Sequence, residues 1–385
     1  MGMTVEKLIK KFDIEGEVVD VAFNNTGNIN RTFVVSVMNN GVIKKYALQK
    51  INTNVFTEPY LLMDNIENVT NYCRDYFERN NEDASRRSLQ VIRTKDNNNL
   101  YRTSDNEFYR VYNFVENTRT YDKAENAAMF YNVGIAFGDF ALVLDGYPMD
   151  TLYETIPNFH NSKARYKDFL YSVKKDPCDR VKEVEEEIKF IKDRANELET
   201  VVNLIEEGVI PVRVTHNDTK INNVLIDIDS NEAICVVDLD TVMPGCSLYD
   251  FGDAIRSGAA ETVEDDPNTD NVGINLEFFS AFTEAYLSRT KDILTEEEIK
   301  YLAFSCRLLT LELAMRFLTD YINGNTYFKC DYEKHNLVRC RNQIALVEDM
   351  EKHKEEMEAI VKNVFDGKKE TAVCKKYVNI NHQQG

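Results

Sequence analysis

The chain has 385 residues, 43% of them hydrophobic, enough for a sizeable buried core and for two domains or one domain with two lobes. Lys+Arg 46 against Asp+Glu 65 leaves a net charge of -19, a surface that repels nucleic acid phosphates and anionic membranes. Neither is an expected partner, whereas a locally positive pocket still suits a nucleotide.

The start, Met1–Glu6, has no long apolar run, and no other stretch reads as a membrane span. The eight cysteines are scattered without metal or disulfide spacing, so the expected location is the cytoplasm. Strands are expected at Glu17–Phe23, Thr32–Val37 and Tyr46–Lys50, the last two joined by the turn Asn39-Asn40-Gly41. A helix follows from about Tyr60 to Phe77, then strands at Ser88–Ile92 and Phe108–Phe114. Together these make a mostly antiparallel sheet with one helix, ending in a hinge near Phe114–Asn117.

Helices dominate from Ala124 onward. Val184, Ile188, Ile191, Ala195, Leu198, Val202 and Ile205 recur in steps of four and three, the stripe of one long helix packed on the second lobe. Strands return at Asn223–Ile228 and Glu232–Asp238 around the turn Asp229-Ser230-Asn231. Thr295-Glu296-Glu297-Glu298 is a capping-box pattern opening a helix that continues through Phe317. The expected organisation is an α+β, bilobal, protein kinase-like fold. Residues 1–115 form a small β-rich lobe, 116–366 a larger helical lobe, and 367–385 a polar tail.

The chemistry rests on Thr215-His216-Asn217-Asp218-Thr219-Lys220-Ile221-Asn222-Asn223, an H-x-D-x-x-x-x-N loop, followed by Val236-Val237-Asp238-Leu239-Asp240. Phosphoryl-transferring enzymes pair such strings. Asp218 is the candidate base, because a carboxylate within reach can orient a hydroxyl and take its proton. Asn223 and Asp238 offer the hard oxygens magnesium takes, leaving room for water and phosphates. Asp240 faces the same way if the strand continues, as a second metal ligand or a substrate contact. Lys220 suits the transferring phosphate, and His216 suits a structural role in the loop. Asp250-Phe251-Gly252 spells a kinase D-F-G string but lies well past the strand. Asp250 and Asp253 are therefore read as helix-opening carboxylates that also brace the loop.

The loop from Asn25 to Phe33, with Gly27, Asn28 and Asn30, lies between two strands, where backbone N–H groups can cover phosphates. Where many kinases place a strand lysine, Gln49 stands in register and Lys50 points to the opposite face. Either Gln49 contacts phosphates without a charge, or Lys50 bends in, or Lys220 and magnesium suffice. Glu67 is a possible partner on the first helix, and Glu116 in the hinge is a candidate nucleotide contact.

Several strings carry a resemblance: Leu48-Gln49-Lys50-Ile51-Asn52-Thr53-Asn54-Val55-Phe56, Thr155-Ile156-Pro157-Asn158-Phe159-His160, the Asp218 and Asp238 strings, and Arg316-Phe317-Leu318-Thr319-Asp320-Tyr321. They resemble the N-acetylhexosamine 1-kinase group of the aminoglycoside phosphotransferase and choline kinase superfamily. The resemblance implies ATP, converted to ADP, with magnesium, and transfer to the anomeric hydroxyl of N-acetylglucosamine or N-acetylgalactosamine. It also implies a sugar pocket in the helical lobe, with Arg316 and Tyr327 as sugar contacts. Asn158 and Asn161 depart from the acidic residues usual at those places. Sibling kinases act on other sugars, amino alcohols or aminoglycosides, and a non-catalytic nucleotide- or sugar-binding protein would share the fold.

Overall fold

A computed structural model describes residues 3–24 and 29–367. Gly27, Asn28 and the tail beyond 367 lie outside the described residues. In chain order the elements begin with helix α1 (Val5–Ile9) and strands β1 (Glu17–Asn24), β2 (Arg31–Asn39) and β3 (Val42–Lys50). Helices α2 (Pro59–Arg79) and α3 (Ala84–Arg87) precede β4 (Tyr101–Arg102), β5 (Phe108–Asn113) and β6 (Thr118–Arg119). Then come α4 (Ala127–Leu144), α5 (Ser162–Lys175), α6 (Glu185–Asp193), α7 (Ala195–Glu206) and β7 (Arg213–Thr215). Strands β8 (Val224–Asp227), β9 (Ala233–Val236) and β10 (Met243–Gly245) lead into α8 (Ser247–Gly258), α9 (Leu276–Thr290), α10 (Glu296–Ile322), α11 (His335–Lys352) and α12 (Lys354–Phe365).

The chain divides into two compact units, one of residues 1–119, 146–157 and 225–243, the other of the remainder. The first unit is built on an antiparallel sheet in the order β1-β2-β3-β5-β4. Alternation along β2 and β3 turns Val35, Val37 and Leu48 inward, against Leu8, Ile9 and Phe12 of the N-terminal segment and Val111 of β5. The register sets Gln49 opposite both Thr32 and Arg110. The strand expected at Ser88–Ile92 is instead an irregular edge with a single bridge from Val91 to Tyr112. β4 already occupies one half of the free edge of β5. The Gln90 amide donates to the Asn113 side chain, at 2.5 Å, which interrupts the ladder.

The second unit is helical. Phe251 of α8, Phe279, Phe282 and Tyr286 of α9, and Phe130 of α4 form an aromatic core. The expected capping box is present: Thr295 accepts from the Glu298 amide, and Glu298 reaches back to the Thr295 amide. Glu298 is fully buried and also holds Ser247 and Arg213, joining the starts of α10 and α8 to β7.

Two expectations are corrected here. The stripe from Val184 to Ile205 runs over two helices, α6 and α7, broken at Arg194. Arg194 leaves the helical conformation, stacks over Phe190 and grips Glu351 of α11 through two nitrogens, at 2.7 and 2.8 Å. The second concerns membrane spans: α4 is long and apolar enough to cross a membrane by length and composition, and 56% of it is buried in the protein. One face packs against α9 so closely that a Cβ on Gly134 would lie 2.8 Å from the Ala285 Cβ, and one on Gly138 2.9 Å from the Arg289 Cβ.

Candidate active site

In the second unit, β7 delivers the loop His216–Lys220, which closes in a single 3-10 turn at Ile221–Asn223. Asn217 turns the chain through the left-handed region at φ 64°. Asp250, buried in the first turn of α8, holds that turn. Its two carboxylate oxygens accept the His216 and Asn217 amides at 2.9 and 2.7 Å. Its carbonyl accepts the Thr219 hydroxyl. Asp250 does brace the loop, but it does not cap its own helix: Cys246 stands at the N-cap without a side-chain bond. Asp253 pairs with Arg256 instead of capping. Burial pushes the Asp250 carboxyl up, against the pull of His216. A Cβ on Gly245 would stand 2.1 Å from the Thr215 hydroxyl and 2.6 Å from the Asn217 amide oxygen, so only glycine fits beside this turn.

His216 is buried, between the rings of Phe137 and Phe140, and its Nδ1 accepts the Asp218 amide at 3.2 Å. That is a structural role. Asp218 is thereby set with Oδ1 2.8 Å from Lys220 Nζ and Oδ2 accepting Asn223 Nδ2 at 3.2 Å. Asn223 Nδ2 also donates to the Asp218 carbonyl at 2.8 Å. Burial pushes the Asp218 carboxyl up, but the Lys220 ammonium outweighs it and holds the group below the usual range, ionised at neutral pH. For Lys220, burial lowers the pKa while Asp218 and Asp253 raise it, and the net direction is up.

Two side chains, one in each unit, offer oxygens of the hard kind that a divalent cation takes. With its Nδ2 committed to Asp218, Asn223 is left with Oδ1, a hard oxygen. Asp238, in the first unit, lies two residues past β9 in the left-handed conformation, φ 59° and ψ 56°, and is exposed. No group of three or more His, Cys, Asp or Glu residues suited to a metal occurs among the described residues. Magnesium sites commonly have fewer protein ligands than that.

β9 ends at Val236, so the strand does not reach Asp238, and Asp240 falls in a 3-10 turn, Leu239–Thr241. Asp240 is buried, 2.5 Å from the Arg110 guanidinium, and accepts Asn30 Nδ2 at 2.6 Å. Oδ2 takes the hydrogen bond and Oδ1 faces the guanidinium without a hydrogen-bond partner, so Asp240 is a buried strut within the first unit. Asn30 also accepts the Asn52 amide, tying the end of the β1–β2 loop to the same strut. Gln49 accepts from Arg110 Nε at 2.9 Å and donates to Thr32 at 3.0 Å. Lys50 pairs with Glu107, and Glu67 pairs with Arg93 at 2.7 Å, not with a strand lysine. Burial opposes the Arg110 charge, but Asp240 raises its pKa further. Glu116 is exposed, and its carbonyl accepts from Arg86.

Within the second unit, Arg316 of α10 lies against the rings of Phe159, Tyr327 and Phe328, at 5.1, 5.9 and 5.6 Å. Tyr327 is half-exposed, and the Asp320 carboxylate accepts the amides of Thr326, Tyr327 and Phe328. Arg316 and Tyr327 thus come together. Asn161 caps α5 by accepting the Ala164 amide, and Asn158 takes φ 56°; both are turn roles that asparagine suits.

Sequence reasoning missed Arg110, Asp320, Glu312 and Arg165. Arg110 left a signal, a cation alternating inward between Tyr109 and Val111 on a buried strand. Burial and then Arg316 lower the Arg165 pKa, so two guanidinium groups share this region.

A family model described as the phosphotransferase enzyme family matches residues 85–283. Among solved structures, an aminoglycoside phosphotransferase from Alicyclobacillus acidocaldarius superposes with a TM-score of 0.60 at 13% identity, covering 94% of this chain and 98% of that one. A choline kinase from Cryptosporidium parvum gives 0.54 at 13%, covering 93% and 97%. A spectinomycin phosphotransferase, in complex with ADP and spectinomycin, gives 0.52 at 12%, covering 94% and 97%. At these identities the likeness is one of fold, the α+β kinase-like fold with a sheet-rich N-terminal part and a helical C-terminal part.

Proposed function

The chain belongs to the phosphotransferase enzyme family, and from that premise we propose that it is an ATP- and magnesium-dependent kinase acting in the cytoplasm on the anomeric hydroxyl of N-acetylhexosamines. The observation that carries the chemistry is the Asp218 carboxylate, held ionised by Lys220 and aimed by Asn223. In the proposed reaction the acceptor hydroxyl gives its proton to Asp218 as its oxygen bonds the γ-phosphorus. The bond from that phosphorus to the bridging oxygen breaks, and ADP leaves. Lys220 neutralises charge on the transferring group. Asn223 Oδ1 and Asp238 are the residues that would hold magnesium, which would supply charge neutralisation on the phosphates.

The sugar reading is supported by Arg316 and Tyr327. A guanidinium fork suits vicinal hydroxyls or an acetamido oxygen, and an exposed tyrosine ring can stack and hydrogen-bond. The nearby Arg165 disfavours a cationic amino alcohol or aminoglycoside in the same place. A panel of sugars, choline, ethanolamine and aminoglycosides with ATP, read by phosphorus NMR, tests this. Anomeric phosphate on an N-acetylhexosamine is expected; phosphate on a primary carbon, or turnover of the amines alone, sinks the sugar reading. Asp218→Asn is expected to lower kcat by ~10²–10⁴-fold while leaving nucleotide affinity nearly unchanged, and a variant within a few-fold of wild type removes Asp218 as the base.

A further inference from the structure

His160 is a buried ring whose two nitrogens both face acceptors. Nδ1 lies 3.0 Å from Glu312 Oε1 on α10, and Nε2 lies 2.8 Å from the Asn217 carbonyl oxygen in the loop that carries Asp218. A carbonyl oxygen has no proton to give, so Nε2 must donate. An ionised carboxylate likewise only accepts, so beside an ionised Glu312 Nδ1 donates too, and a ring donating from both nitrogens is an imidazolium. We propose that His160 is a positioning residue, protonated on both nitrogens, that ties the Asn217 carbonyl of the catalytic loop to Glu312 of the acceptor-side helix. The positioning role rests on the assignment of Asp218 as the base; the protonation state does not.

The groups around the ring agree with a cation. Burial opposes the charge, but the Glu312 carboxylate outweighs it and raises the pKa, with smaller help from Asp253. Asp250 of the same helix α8 also feels the ring, and Tyr249 lies against it with centroids 5.1 Å apart. The nearest competing cation is Arg316, 3.9 Å from the same Glu312 oxygen. Glu312 is buried and its Oε2 has no hydrogen-bond partner, so the imidazolium is the contact that compensates its charge.

The arrangement links two parts of the second unit through adjacent residues. Phe159 carries the Arg316 guanidinium on its ring, and His160 carries the Asn217 carbonyl. Asn217 is the left-handed residue that immediately precedes Asp218. A shift at residue 217 is passed directly to the Asp218 carboxylate, and misplacement of a catalytic group by about 1 Å costs up to ~10²-fold in rate.

The test uses the full chain labelled with ¹⁵N-histidine, in which there are five histidines. His160→Gln assigns the ring. At pH 7.5 two ring N–H signals are expected for His160; a single protonated nitrogen overturns the inference whatever the enzyme's substrate is. In Glu312→Gln the second ring proton is expected to leave at lower pH than in wild type, and an unchanged titration overturns the link to Glu312. With the acceptor found in the panel above, His160→Gln is expected to lower kcat ~10–100-fold with KM for ATP within twofold. A kcat within twofold of wild type in a variant that melts like wild type overturns the positioning role. A panel with no phosphorylated acceptor would overturn the proposed function while leaving the ring measurement intact.

Discussion

Arg110 and Asp240 form a pair almost fully removed from water, with side chains 1% and 5% exposed. Such pairs are costly to break from one side, because the remaining charge is left buried. Arg110→Met is therefore expected to lose ~3–5 kcal/mol of stability in urea unfolding. Asp240→Asn in the same chain is expected to return part of that loss by removing the stranded carboxylate. If the double variant is as unstable as the two single losses summed, the pair is not coupled as described. Lys220 governs a second residue-scale effect. Its ammonium holds the Asp218 carboxyl down against burial, so Lys220→Met releases the carboxyl upward. The acid limb of kcat/KM is expected to move to higher pH, and an unmoved limb would show that Asp218 is not the group titrating there. Much at this scale was legible: the spacing of Asp218 and Asn223 singles them out, and His216 reads as a structural residue of the same loop. Arg110 was not, because its partners Gln49 and Asp240 are 61 and 130 positions away and meet it only through strand register and a tight turn.

At the scale of elements, α8 works as the foundation of the catalytic loop. Its first turn presents Asp250 to two loop amides, and the glycine preceding the helix leaves room for Thr215 and Asn217. Gly245→Ala pushes a methyl into the Thr215 hydroxyl, and overpacking of this kind costs about 1–3 kcal/mol. Because the displaced atoms lie within the Asp218 turn, kcat is expected to fall ~10-fold or more in the Gly245→Ala enzyme. Normal turnover in that variant would show that the turn relaxes without moving Asp218. Asp250→Asn replaces one acceptor by an amide that faces a backbone N–H, and is expected to lose ~1–3 kcal/mol of thermal stability. The D-F-G spelling at 250–252 did not hide this bracing, because Asp250 lies well past the strand; what the string misled on was the helix cap, since the carboxylate grips the neighbouring loop and not its own helix. Periodicity did locate α10 and its capping box, because those signals are local. It missed the break at Arg194, whose cause is Glu351 on another helix.

At the scale of the whole molecule, the β-rich first unit and helical second unit follow from patterning that changes from period two to period 3.6 along the chain. The return of residues 225–243 to the first unit has a different origin: Asn65 of α2 donates to the Val242 carbonyl and to the Tyr153 carbonyl of another returning segment. These bonds fasten the loop that carries Asp238. Nucleotide and metal binding should therefore register as stability of the folded chain as well as activity. A ligand that binds only the folded state at 100 times its Kd stabilises by about 2.7 kcal/mol, which raises Tm by a few degrees. ATP with magnesium is expected to raise Tm more than ATP with EDTA, and the increment due to magnesium is expected to vanish in Asp238→Asn. Calorimetry of the two proteins under the two conditions measures it. Asp238→Asn that melts normally without ligand yet keeps the full magnesium increment would exclude Asp238 as the metal-holding carboxylate, whereas loss of the increment with ATP binding intact separates a metal role from a general failure to fold.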